Sequence, residues 1–288
     1  MDNNSLNQAN LVYKKFRHGL NIATKSFNIL SKNKKLLLYF GIPLLIFAII
    51  ETLVYNIQKC SISGCISPLL QDLPENISII LKKFGASSSW FKFTGIILVY
   101  LTHIATITIA KMAITFHTNK IQKYDHLNFK CASSLFFTKI KTGLIWTACL
   151  LLPIATFTII SSSCQKDMPP FMHLLYATVI FSISAAWSLI TAFVIQAITI
   201  EDLGIFLAVK RSIFTIRAIF FEYLGAMFWV ALIGGISSLP FIFLDQFINR
   251  AAYNYITIAI ILIIYCIITS AYEVSKTLLF NNFKQKNL

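Results

Sequence analysis

The chain of 288 residues is far more apolar than an ordinary soluble domain. Hydrophobic residues make up 57% of it, charged residues make up 12%, and its mean hydropathy is +0.71. In a soluble protein the net charge of +14 would favour nucleic-acid binding. Here the basic residues cluster at the ends of apolar runs, as the positive-inside rule requires, so we expect no nucleic-acid partner.

Six apolar runs are long enough to cross a hydrocarbon core of about 30 Å, which needs about 20 helical residues. The runs lack the period-two alternation of β-barrel strands and are apolar on every face, so they predict helices. The predicted spans are residues 36–57, 93–116, 143–163, 173–199, 220–244 and 253–275. The predicted fold class is therefore all-α: a single integral membrane domain, residues 1–288, of three helical hairpins.

The loops alternate between Lys-rich and Lys-poor, which predicts the topology. Four segments carry 7, 5, 3 and 3 Lys or Arg residues: 1–35, 117–142, 200–219 and 276–288. The segments between them carry 4, 1 and 1: 58–92, 164–172 and 245–252. Both termini are therefore predicted to be cytoplasmic. The excess of Lys over Arg (21 to 4), typical of AT-rich genomes, favours a bacterial inner membrane.

An amphipathic helix is predicted ahead of the first, third and fifth spans. The apolar stripe of the first contains Phe16, Leu20, Ala23, Phe27 and Leu30. Its polar stripe contains Lys14, His18, Asn21, Lys25, Asn28 and Lys32. The second covers residues 129–141, and the third has only a narrow polar strip of Gly204, Ala208, Arg211 and Thr215. Such helices are expected in the membrane interface, with the apolar face in the acyl boundary.

These three segments share an Ala followed by Ser and Phe, and each following span holds one proline. The shared stretches are 23–27, 132–136 and 208–214, and the prolines are Pro43, Pro153 and Pro240. Proline kinks a helix and frees a carbonyl, so these spans are expected to contact protein at the kink. The pattern predicts a threefold repeat over residues 10–116, 125–199 and 202–280, with chance similarity between Phe-rich segments as the alternative.

Ionisable residues inside spans are functional candidates, because an unpaired charge in lipid is costly. Glu51 and His103 lie at depths that would let neighbouring helices bring them together, either as a protonation-linked pair or as a buried hydrogen bond.

Three other ionisable residues lie close to the ends of their spans and receive structural interpretations. Lys111 can extend to the interface, Glu222 is near Arg217, and Glu273 is spaced to pair with Lys276. Gln196 is expected to form hydrogen bonds between helices.

On the cytoplasmic side, Lys130, Lys141, Glu201 and Arg211 are candidate contacts for anionic headgroups or a partner protein. Glu201 and Asp202 also precede the third amphipathic helix, where acids complement the helix dipole and satisfy free backbone donors.

Three cysteines are predicted on the outer face: Cys60, Cys65 and Cys164. In an oxidising periplasm two of them are able to form a disulfide, whose connectivity the spacing leaves open. A zinc site of these three with His173 lacks a recognised spacing, so no metal or other cofactor is expected.

Two stretches carry a family resemblance. One runs from Ser26 to Phe40 and on to Pro43, with a Lys-rich turn before Leu36-Leu37-Leu38. The other joins Ile200-Glu201-Asp202-Leu203-Gly204 to Ala208-Val209-Lys210-Arg211-Ser212. Together they resemble an uncharacterised bacterial family of six-helix integral membrane proteins, a domain of unknown function. That family is distantly similar to the membrane domain of glycerophosphodiester phosphodiesterases.

The resemblance implies a membrane location and no catalytic domain. It fails in the longer first outer loop, which contains Cys60 and Cys65. The sequence holds no P-loop, His-Glu-x-x-His or Gly-x-Ser-x-Gly motif, so we expect no enzyme. The leading hypothesis is an inner-membrane protein that organises partner proteins or lipid at the cytoplasmic face. The alternative is a small-solute or lipid transporter that uses Glu51 and His103.

Overall fold

The computed structural model describes residues 3–46, 88–124, 139–149, 170–247 and 251–287, and within these ranges the regular structure is entirely helical. The helices are α1 (Asn3–Lys32), α2 (Lys35–Ile46), α3 (Ser88–Tyr124), α4 (139–149), α5 (Pro170–Ile190), α6 (Val194–Glu201), α7 (Ile205–Phe247) and α8 (Ala251–Lys286). Met1–Gly41 together with Thr108–Leu288 forms one compact unit, and Ile42–Ile107 forms a second.

Three helical stretches in the described ranges are long and apolar enough to cross a membrane. They are Phe181–Glu201, Ile205–Pro240 and Ile260–Lys286, and they overlap the last three predicted spans. The first predicted span begins in α2 and the second lies within α3, while most of the third falls outside the described residues. The chain is thus all-helical where described and compatible with a membrane-embedded protein.

The surface of α7 has the polarity of a helix surrounded by lipid. Phe206 is 92% exposed, and further large apolar side chains continue this exposed stripe along the helix: Leu207, Phe214, Leu224, Phe228, Leu232 and Ile236. The opposite side presents small and hydroxyl side chains, and Ala208, Ser212 and Thr215 are fully buried. A patch of this extent is unusual on a soluble monomer and marks a membrane or protein contact.

Helix α1 packs against α7 and α8 rather than lying free in an acyl boundary, so the predicted environment of its apolar stripe is corrected. Ala23 and Leu30 of that stripe are buried, and the Phe16 ring lies 6.0 Å from the Phe228 ring. Two glycines allow this packing. A Cβ on Gly19 would overlap the Glu222 carbonyl and lie 2.9 Å from the Ala226 nitrogen, and one on Gly225 would overlap the Phe16 carbonyl. The two backbones are therefore in direct contact.

Two helix boundaries occur where the sequence predicts them. α1 ends at Lys32, and α2 begins at Lys35, next to the predicted start of the first span. α7 contains non-helical backbone at Ile219 (φ −118°, ψ 23°), immediately before the predicted fifth span. Both positions separate an amphipathic segment from a more uniformly apolar one.

The sixth span is predicted to end at residue 275, but the helix that contains it does not end there. The helix continues to Lys286, and Leu278, Leu279 and Phe280 are almost completely buried. The segment contacts α3 and α7: Asn281 donates to Asn119 at 3.1 Å, and the Phe283 ring lies 5.8 Å from the Phe214 ring. It therefore forms part of the core.

The predicted fourth span is interrupted at residues 191–193, between α5 and α6. The hydroxyl of Ser212 on α7 satisfies two backbone groups at the interruption. It accepts a hydrogen bond from the Phe193 N–H (3.0 Å) and donates one to the Ile190 carbonyl (2.6 Å). A break in an apolar span is tolerated where side chains satisfy the freed backbone groups in this way.

Candidate functional site

Several predicted candidates fall outside the residues that the structure describes. They are Glu51, Lys130, Cys60, Cys65 and Cys164. His103 lies on α3, but its side chain is also outside the described part, so its pairing with Glu51 stays a prediction. Lys141 lies on α4 and is exposed.

Glu201 and Arg211 bind each other across the α6–α7 turn. The Arg211 Nε and Nη2 donate to the two carboxylate oxygens of Glu201 at 2.9 Å each, a bidentate geometry. Glu201 is the last residue of α6, so the predicted role of this carboxylate at a helix N-terminus is corrected. The guanidinium also lies 5.2 Å from the centre of the Phe283 ring on α8. The pair thus joins three helices.

Further charges complete this turn network, which we define as Lys139, Glu201, Asp202, Arg211 and Lys284. Lys139 donates to the Thr199 carbonyl (2.9 Å) and lies 3.4 Å from Asp202, while Lys284 lies 3.7 Å from Glu201. Asp202 adopts the left-handed conformation (φ 59°) that ends α6. An ammonium at the last carbonyls of a helix complements the negative end of its dipole.

A buried polar cluster lies between α3, α6 and α8, and consists of Lys111, Gln196, Glu273 and Lys276. The Glu273 carboxylate is fully buried and lies 2.8 Å from the Lys276 ammonium and 3.9 Å from that of Lys111. The Gln196 amide donates to it at 3.2 Å. The predictions for the Glu273–Lys276 pair and for Gln196 between helices are confirmed. Such a cluster is costly unless each charge is paired.

Hydroxyl and amide side chains extend this polar interior along the α3–α8 contact. Thr277 donates to Thr115 (3.4 Å), and Asn281 donates to Asn119 (3.1 Å) and to Gln122. The neighbouring Glu222 pairs with Lys286 at 3.6 Å rather than with Arg217, because α8 returns alongside α7.

Tyr39 of α2 and His117 of α3 form a stacked pair. Their ring centroids are 5.2 Å apart with planes inclined by 18°, and the Tyr39 hydroxyl lies 2.7 Å from the His117 Nε2. Burial, with the nearby Lys120 charge as a lesser cause, lowers the pKa of His117 below its usual value. A neutral imidazole can accept a hydrogen bond from the Tyr39 hydroxyl at Nε2.

One side of α1 is basic and exposed between Lys14 and Lys32, and we call it the basic face: Lys14, Arg17, His18, Lys25 and Lys32. The helix contains no acidic residue. No ion pair in the described part of the chain involves these side chains, whereas the opposite side of α1 is packed into the protein.

The described residues include no group of three or more His, Cys, Asp or Glu side chains arranged to hold a metal ion. The chain matches no protein-family model, no curated protein and no solved structure. The basic face, the turn network and the buried polar cluster are therefore interpreted from their own chemistry.

Proposed function

We propose that this protein is a non-enzymatic, multi-pass protein of a bacterial inner membrane that organises anionic lipid around itself at the cytoplasmic face. The proposal includes the six spans, the three hairpins and the cytoplasmic termini predicted from the sequence. We also propose kinship with the six-helix family that the chain resembles. The observation that carries the proposed function is the basic face of α1.

The packing of α1 leaves its charges in the right place for this role. Its apolar stripe is covered by α7 and α8, so the helix is held by protein and does not need to insert into lipid to be stable. Its lysines remain exposed, and each Lys or Arg near an anionic leaflet contributes about 1 kcal/mol of attraction. α1 carries five Lys or Arg residues, counting Lys15 beside the basic face, and no ion pair among the described residues involves any of them. Electrostatic attraction of this kind enriches anionic lipid around the protein and weakens with salt.

The test compares lipid enrichment around the intact protein and around a triple variant, Lys14→Gln with Arg17→Gln and Lys25→Gln. Both are reconstituted in nanodiscs from mixed phosphatidylglycerol and phosphatidylcholine, and the retained lipid is quantified. We expect the variant to lose most of the enrichment in phosphatidylglycerol, and Lys14→Arg with Lys25→Arg to keep it. Equal enrichment in all three proteins, at low salt as well as at high salt, would overturn the proposal.

The other form of this hypothesis is that the protein binds a partner protein at the cytoplasmic face, and that Lys130 and Lys141 contact that partner. Charge reversal of these two residues is expected to remove co-purifying proteins in mild detergent. Arg211 and Glu201 neutralise each other, so we assign them to the stability of the α6–α7 turn rather than to partner binding.

Transport of a small solute is the second candidate function, and two observations favour it. The fourth span is interrupted at residues 191–193, and the interruption lies a few residues before Gln196 of the buried polar cluster. Discontinuous helices beside buried charges are typical of secondary transporters. In proteoliposomes with a trapped pH-sensitive dye, a proton-coupled transporter would show flux that Glu273→Gln, Glu51→Gln or His103→Ala abolishes. Absence of flux in the unaltered protein would contradict proton coupling.

A further inference from the structure

A half-open cavity of about 420 Å³ lies where α1 turns into α2, on the side of α3. Its volume is in the range of small-molecule sites. The residues that line it are Ser31, Lys32, Asn33, Lys34, Lys35, Leu36, Tyr39 and His117. Residues from two distant parts of the sequence therefore meet in one cavity.

The cavity has an apolar and aromatic floor and a cationic rim. Leu36 is buried to 1% exposure, and His117 is buried against the Tyr39 ring. Lys32 and Lys34 are exposed at the rim, and no ion pair within the described residues involves either of them. Among the described residues, no acidic side chain lines the cavity. An anion entering it would meet Lys32 and Lys34, which form no ion pair within the described part of the chain.

The chemistry of this lining suits a phosphate ester. Lysine ammonium groups bind phosphate oxygens as point charges, and hydroxyl and amide groups such as those of Ser31 and Asn33 supply hydrogen bonds. The first turn of α2 contributes the positive end of a helix dipole. The aromatic floor offers contact area to the carbon atoms attached to a phosphate.

We infer that this cavity is a binding site for a phosphate ester, held by Lys32 and Lys34 over the Tyr39–His117 pair. The inference rests on the proposed function for its membrane setting and deepens it, because it names one lipid-sized site at the end of the basic face, where Lys32 also lines the cavity. In that setting the cavity lies at the depth of the headgroups, where the first span leaves the inner leaflet. The phosphate belongs either to a phospholipid headgroup or to a soluble phosphate ester.

The test is native mass spectrometry of the intact protein with bound phosphatidylglycerol, with Lys32→Gln plus Lys34→Gln as the cavity variant. We expect its affinity for the first bound lipid to fall about tenfold or more. Lys210→Gln plus Arg217→Gln is the matched control: it removes the same charge from exposed positions on α7, outside both the cavity and the basic face, and it is expected to keep that affinity. Lys32→Arg plus Lys34→Arg should also keep it.

Competition distinguishes the two sources of phosphate. If glycerol phosphate or inorganic phosphate at millimolar concentration displaces the bound lipid, the site takes soluble esters. If neither displaces it, the site takes the lipid headgroup, and both results support a phosphate site. Equal losses in the cavity variant and in the matched control would overturn the cavity site while leaving the proposed function intact. No loss in either, together with no enrichment in nanodiscs, would overturn both.

Discussion

Helix α1 and the first part of α7, residues 205–218, receive the same prediction from sequence but bury opposite chemistry. In α1 the apolar stripe faces protein and the lysines face outward. In α7 the hydroxyl and small side chains face protein, while Phe206, Leu207 and Phe214 face outward. An amphipathic pattern therefore predicts which residues share a face of a helix, but it does not predict which face packs against the protein. The covered face depends on whether water or lipid surrounds the other one.

The two segments nevertheless share a detail. Each buries its Ala and its Ser completely: Ala23 and Ser26 in α1, and Ala208 and Ser212 in α7. Small residues at these positions allow close approach of helices, and their hydroxyls bond across the contact. Similar environments favour the proposed repeat, whose boundaries remain a prediction.

The largest loss of stability is expected from a substitution where the backbones of α1 and α7 are in contact. Gly19→Ala places a methyl group against backbone atoms of α7, which cannot move aside as a side chain can. We expect a loss of about 3 kcal/mol in the free energy of unfolding, the upper end of the range for overpacking. Titration with sodium dodecyl sulfate measures it.

The matched control for Gly19 is Gly235→Ala, in the same α7 helix that Gly19 contacts. An added Cβ there meets nothing within 4 Å, so the substitution should leave the free energy of unfolding unchanged or raise it by about 0.5–1 kcal/mol. Equal losses for both glycines would mean that α1 and α7 are not in backbone contact.

A smaller difference is expected between the two buried serines. Ser212→Ala leaves the Phe193 N–H and the Ile190 carbonyl without their partner, and we expect a loss of about 2 kcal/mol. Ser26 accepts from the hydroxyl of Ser275 and donates to the Ala23 carbonyl of its own helix, and neither bond satisfies a backbone group freed by a break in a helix, so Ser26→Ala should cost under about 1 kcal/mol. The same titration measures the free energy of unfolding of both variants. A larger loss for Ser26→Ala than for Ser212→Ala would contradict the role assigned to Ser212.

Single cysteine substitutions, which are expected to change stability least, test whether the exposed faces of α1 and α7 are in contact with water. Single cysteines replace Asn28 on the exposed face of α1 and Leu207 on the exposed face of α7, in a background without the native cysteines. A water-soluble maleimide should label the first in intact membranes. It should label the second only after detergent is added, because lipid covers that face. Equal labelling of both before detergent would show that α7 is not surrounded by lipid.

Local patterns predicted the parts of the fold that depend on neighbours in sequence. The α1–α2 boundary follows from the Lys-rich turn at residues 32–35, and the Glu273–Lys276 pair follows from its helical spacing. The interruption at residues 191–193 has no such signal, because no glycine or proline marks it. The serine that satisfies the freed backbone groups lies on another helix, and only the tertiary structure brings it there.

The candidate site was predictable to a similar extent. The basic face of α1 is visible in the order of residues, because charge and helical period are local properties. The Glu201–Arg211 pair joins residues that flank a turn, so its geometry depends on the angle between α6 and α7. The cavity between Lys32 and His117 joins distant parts of the chain, and neither part alone indicates it.

The single hydroxyl at Ser212 also has a mechanical consequence. Because it bonds to backbone groups on both sides of the interruption at residues 191–193, any sliding of α7 would leave the Phe193 N–H and the Ile190 carbonyl without their partner at the same time. In surroundings without water each such loss costs several kcal/mol. The end of α5, the start of α6 and the first part of α7 are consequently coupled through one side chain, and a motion that keeps both hydrogen bonds must move these segments together.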